Sequence, residues 1–62
     1  MLKVELITDN DPQRFEETLQ NTVTRIEYEG CVIKTIQFNQ IPDPLNSTKI
    51  LHSALVTYTT RL

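Results

Sequence analysis

The chain has 62 residues but only one glycine, one cysteine and one histidine, and it has no tryptophan. Each scarcity excludes something. A single cysteine excludes an internal disulfide, and one histidine with one cysteine excludes a self-contained zinc site. A single glycine excludes a Gly-rich phosphate loop. No apolar run approaches the ~20 residues that a membrane span requires. Residues 1–5 also lack the basic and long apolar regions of a signal peptide. A cytoplasmic protein with no membrane partner is expected, and the unpaired Cys31 suits a reducing compartment.

Size sets the next limit. Scaling relations predict an unfolded surface of roughly 10,400 Å² and a folded one of roughly 4,100 Å². If about 60% of the difference is apolar, burial yields roughly 95 kcal/mol at ~25 cal/mol per Å². Ordering every residue at ~1.5 kcal/mol costs roughly 93 kcal/mol. A lone copy is therefore marginal. With disulfides and zinc excluded, self-association is the expected remedy, and a homo-oligomer is predicted.

The net charge is −2, and it is unevenly spread. Residues 1–30 hold seven acids and three bases; the second half holds Asp43 against Lys34, Lys49 and Arg61. A general nucleic-acid binder carries a basic balance, so that function is not expected. A small anionic ligand is expected, if anywhere, on the C-terminal half.

Residues 2–8 alternate, with Leu2, Val4 and Leu6 on one side and Lys3, Glu5 and Ile7 on the other, as a half-buried strand does. Asp11 followed by Pro12 reads as an N-cap and first helical residue. The apolar spacing of Phe15, Leu19, Val23 and Ile26 continues the helix, and Gly30 supplies a left-handed C-cap. Residues 31–40 are rich in β-formers, although their alternation is imperfect because Val32, Ile36 and Phe38 share a phase with Lys34. A proline-stiffened loop over 41–48 precedes a long strand at 49–60 that is apolar on both sides near Leu55 and Val56.

These elements predict one domain, residues 1–62, of the α+β class: a single β-α-β-β unit. Three antiparallel strands form the sheet, the last strand lies in its centre, and the helix packs on one face. The other face is predicted to carry Ile7, Ile33, Leu51 and Leu55. It is too apolar to stay wet and is assigned to the oligomer interface.

Catalytic readings fail on spacing. His52 and Ser53 are neighbours on a strand and point to opposite faces, and no second histidine completes a triad. Asp9 and Asp11 read as capping residues rather than cation ligands, since the glycine and glutamate of an EF-hand loop are missing. Neither a catalytic set, a metal site nor a cofactor is expected. The candidate ligand-binding residues are Lys34, Lys49, His52, Tyr58 and Arg61, whose cations and ring could neutralise and stack on a nucleotide across an interface.

The segment Leu51-His52-Ser53-Ala54-Leu55-Val56-Thr57-Tyr58, with the opening Lys3-Val4-Glu5-Leu6, resembles a family of roughly sixty-residue sigma-E-controlled sporulation proteins of Firmicutes and their phages. The resemblance covers most of the chain, departs from the family in the Pro42/Pro44 loop, and implies no catalytic residues. A topological similarity to dodecins, which bind flavin with a tryptophan absent here, is weaker. Together these readings lead to a non-enzymatic, self-associating binding module of phage or bacterial origin that interferes with a host process. It would cap a host factor or sequester a small nucleotide signal. A sporulation-associated structural protein is the alternative, and a dodecin-like cofactor-binding oligomer is the third.

Overall fold

A computed structural model describes residues 1–60. Strand β1 (Leu2–Asp9) leads into helix α1 (Pro12–Tyr28), followed by β2 (Cys31–Pro42) and β3 (Ile50–Thr60). The sheet order is β1-β3-β2, and both pairings are antiparallel. This is the expected α+β unit with its last strand in the middle. No described helix is long and apolar enough to cross a membrane.

Local chemistry sets the element ends. The Asp11 carboxylate accepts hydrogen bonds from the Gln13 and Arg14 backbone N–H groups at 3.0 and 3.4 Å, satisfying donors that the first helical turn leaves open. Pro12 occupies the first turn, where its missing N–H costs nothing. Gly30 follows the helix at φ +82°, a left-handed conformation natural only to glycine. Strand β2 runs two residues beyond the expected boundary, through Ile41 and Pro42. Proline is tolerated there because β2 is an edge strand and Pro42 ends it.

The core lies between α1 and the sheet. Ile7, Ile26, Val56 and Tyr58 form its buried centre, with Phe15, Leu19, Cys31, Ile33 and Ile36 packed around them. A bulge lies between Ile33 and Thr35, at Lys34. It explains the imperfect alternation of β2: one extra residue resets the phase, so Ile33 and Ile36 both face the helix although three positions apart.

Two placements correct the sequence expectations. Ile7 and Ile33 do not belong to the uncovered face; both lie on the helix side, Ile7 at only 7% exposure. The face of β1 is reversed, leaving Leu2, Val4 and Leu6 exposed at 61%, 55% and 66%. Ile7 takes the core position beside Ile26, Val56 and Tyr58, and strand alternation carries Glu5 and Asp9 to its side. Arg14 binds Asp9 there through two hydrogen bonds, at 2.7 and 3.0 Å. Arg25 holds Glu5 and also Glu29. The acids of β1 thus find partners on the helix, and its leucines lie on the opposite face. Phe38, by register beside Ala54 on the helix side, lies outside the helix's footprint and is 66% exposed.

Candidate functional site: the open sheet face

The sheet face away from α1 follows from the register. Residues opposite one another across a ladder share a face. Leu2 pairs with Thr59, Val4 with Thr57 and Leu6 with Leu55. On the other side, Gln37 pairs with Leu55, Asn39 with Ser53 and Ile41 with Leu51. Leu51 and Leu55 thus lie on the uncovered face, as expected. None of the paired positions on this face, among the described residues, carries a charged side chain. An open sheet face normally alternates polar-out, and this three-strand surface of leucine, valine, isoleucine, threonine and amides departs from that pattern.

Near the middle of this face lies a shallow depression of about 610 Å³, lined by Leu6, Gln37, Phe38, Asn39, Ser53 and Leu55. The Ser53 hydroxyl donates to the Asn39 carbonyl at 3.3 Å. An apolar floor thus meets two primary amides, a feature the sequence reading missed. The strand phase of Gln37 and Asn39 with Leu55 was the signal that pointed to it.

The chain as a whole exposes 4692 Å², against roughly 4,100 Å² expected for a compact chain of this mass. Its radius of gyration is 13.0 Å, where a compact domain of this length has about 10.6 Å. A helix on one side of a long sheet makes a slab, 45 × 18 × 13 Å, and not a sphere.

The candidate ligand residues do not converge. Tyr58 is 7% exposed and part of the core, where burial pushes its phenol above the usual range. His52 lies on the helix side, its ring 5.7 Å from that of Phe15 and its Nδ1 3.3 Å from the Gln40 amide nitrogen. Lys49 and His52 share a cleft of about 490 Å³ with Asn10, Asp11, Pro12, Thr48 and Ile50. The helix N-terminus at this cleft is already occupied by the Asp11 carboxylate. Lys34, at the bulge near Tyr58, is roughly eight strand residues from Lys49, or ~26 Å at ~3.3 Å per residue. Arg61 lies outside the described residues. Among the described residues no three His, Cys, Asp or Glu side chains gather to hold a metal ion.

That cleft end is a structural lock. The Asn10 amide donates to Asp43 Oδ2 at 2.8 Å, and the Leu45 backbone N–H donates to Asp43 Oδ1 at 2.8 Å. The buried Asp43 thus ties the β2–β3 loop to the β1–α1 turn, and these bonds, the Asn10 amide first, hold its carboxyl below the usual range. Arg14, followed by the Asp11 backbone N–H, lowers Asp9 to about 2. Carboxyls depressed in the folded state stabilise it above the ordinary carboxylate range, and that contribution is lost as pH falls through the folded value. Melting temperature should therefore drop as pH is lowered from about 4 toward 2. An Asp9→Asn variant should show a shallower drop over the same window, measured by circular dichroism melts. Parallel curves would remove Asp9 from this role.

Compared with known proteins, the chain matches no family model, no curated protein and no solved structure. What the fold and the open face define is a class, an α+β slab with one helix-covered and one apolar, uncharged sheet face.

Proposed function

We propose that this chain is a non-enzymatic binding module that works as an assembly of copies, joined through the open sheet face. The observation that carries this reading is the composition of that face: exposed leucines and valine, with no charge at any paired position described. The occupant is a second copy of the chain. Three strands of up to about eleven residues present a face of roughly 36 by 14 Å, about 500 Å² in projection, of the same order as the ~800 Å² of accessible surface that each partner contributes to a standard interface. The face is also self-complementary in chemistry, apolar with amides able both to donate and to accept.

In the phage or bacterial setting that the sequence resemblance implies, the assembly acts on a host process. Of the two uses expected from the sequence, capping a protein fits better than sequestering a nucleotide. Lys49 and His52 lie at one end of the sheet and Lys34 toward the other, so one copy offers no converged anion site.

Sedimentation velocity across the micromolar range tests the assembly. A dimer or larger species is expected, and a monomer throughout overturns the reading. Native mass spectrometry of the same sample reads the copy number, and a nucleotide retained between copies would overturn the preference for capping.

A further inference from the structure

Resting on the self-association just proposed, we infer how the second copy sits: two copies stack face to face as an aligned β-sandwich, with Leu55 beside the two-fold axis. They do not join edge to edge into one wide sheet.

The edges carry the features that oppose pairing. Strand β2 has a bulge at Lys34 and ends in Pro42. Both interrupt the row of backbone groups that another strand would need. The edge strand β1 carries Lys3, Glu5 and Asp9, and charge on an edge blunts strand addition. The open face has no such feature at its paired positions. Association is thus discouraged along the edges and left unopposed on the face.

The apolar groups on the face also have a direction. They run lengthwise, from Leu2 and Val4 on β1 and Val32 on β2 at one end, through Leu6 and Leu55, to Leu51 and Ile41 at the other. With strands ~4.8 Å apart and ~3.3 Å per residue, this stripe is inclined to the strands by roughly 8°. An isologous pair must lay the stripe of one copy on the stripe of the other. A two-fold axis in the contact plane does so when it lies along or across the stripe. Either way the strand lines of the two copies cross at twice the inclination, roughly 16°, within the ~30° of aligned sandwiches. Leu55 sits at the middle of the stripe, so it comes close to its own symmetry mate in both cases. Thr18, exposed on the helix beyond the sheet, stays far from its mate.

Single-cysteine variants in a Cys31→Ser background read this arrangement directly. Leu55→Cys and Thr18→Cys are each treated with a short bifunctional thiol reagent that joins backbones ~10 Å apart, the spacing of stacked sheets, at a concentration where sedimentation shows the parent assembled. Near-complete conversion to a covalent dimer is expected for Leu55→Cys, and none for Thr18→Cys. In an edge-to-edge pair through β1, Leu55 would be three strand spacings from its mate, ~14 Å, beyond the reach of that reagent. If the parent assembles but Leu55→Cys does not cross-link, the stacking is wrong and self-association stands. If the parent is a monomer at every concentration, both are wrong.

Discussion

Replacing Leu55 by lysine should turn the assembly into folded monomers. Leu55 is half-buried in the central strand, on the face without the helix, so its substitution leaves the core of Ile7, Ile26, Val56 and Tyr58 untouched. In a single copy the new ammonium group reaches water. In a stacked pair two of them meet near the axis. Each copy loses the ~1.5–3 kcal/mol of a buried leucine. Two like charges ~4 Å apart repel by about 4 kcal/mol at an effective dielectric constant of ~20. A loss of at least ~4 kcal/mol corresponds to about three decades in the dissociation constant. Sedimentation velocity should show the monomer where the parent is assembled, and circular dichroism should keep the helix signal. The melting temperature of the parent should rise with protein concentration, whereas that of Leu55→Lys should not. A variant that assembles like the parent would refute the role of this face. Thr18→Lys, exposed on helix α1 on the other side of the sheet, is the matched control and should change the assembly little.

How much of this was legible in the sequence depends on which physical signal each feature uses. Asp11-Pro12 and Gly30 bracket the helix because capping is local chemistry. The central place of β3 followed from Leu55 and Val56, adjacent apolar residues on opposite faces of one strand. The orientation of β1 was not legible in the same way. Alternation sorts Leu2, Val4 and Leu6 from Lys3, Glu5 and Ile7, but it does not say which set lies under the helix. Burial alone favours the leucines. The outcome is a matter of packing, in which Ile7 joins Ile26, Val56 and Tyr58 while Arg14 and Arg25 meet Asp9 and Glu5 beside it, and that is tertiary information. The bulge had a weaker sign: Ile33 and Ile36 are an odd number of positions apart, so no regular strand puts both on one face. Reading that parity as an insertion at Lys34 places Ile33 with the core and leaves Leu51 and Leu55 on the uncovered face. The candidate ligand residues fared differently because linear proximity of cations and aromatics carries no face assignment. Tyr58 and His52 share the helix side, Lys34 and Lys49 are spread toward opposite ends of the sheet, and no single concavity takes them all.

Ile26→Ala is the substitution expected to harm the fold most. Ile26 is fully buried, and Val56 is the only other large side chain so completely enclosed among the described residues. A core this small cannot close over a deleted side chain by redistributing many neighbours, because the helix is its only lid and the sheet its only floor. Truncating a buried isoleucine to alanine costs ~2–5 kcal/mol, the upper part of that range applying where the cavity persists. The whole stability of a chain of this length is on the order of 3–9 kcal/mol. One substitution thus removes about half or more of what holds a copy together. For a domain of this size ~1 kcal/mol moves the melting temperature by roughly 4–8 °C, so a fall of about 10–30 °C is expected in circular dichroism melts. Val4→Ala, a truncation of an exposed residue on the open face, should move the melting temperature of dilute protein far less. If Ile26→Ala also gains stability as its concentration rises, folding and assembly are linked, and the second copy supplies the apolar burial that the chain's own core lacks. A shift of only a few degrees at all concentrations would mean that the helix is not held by this core.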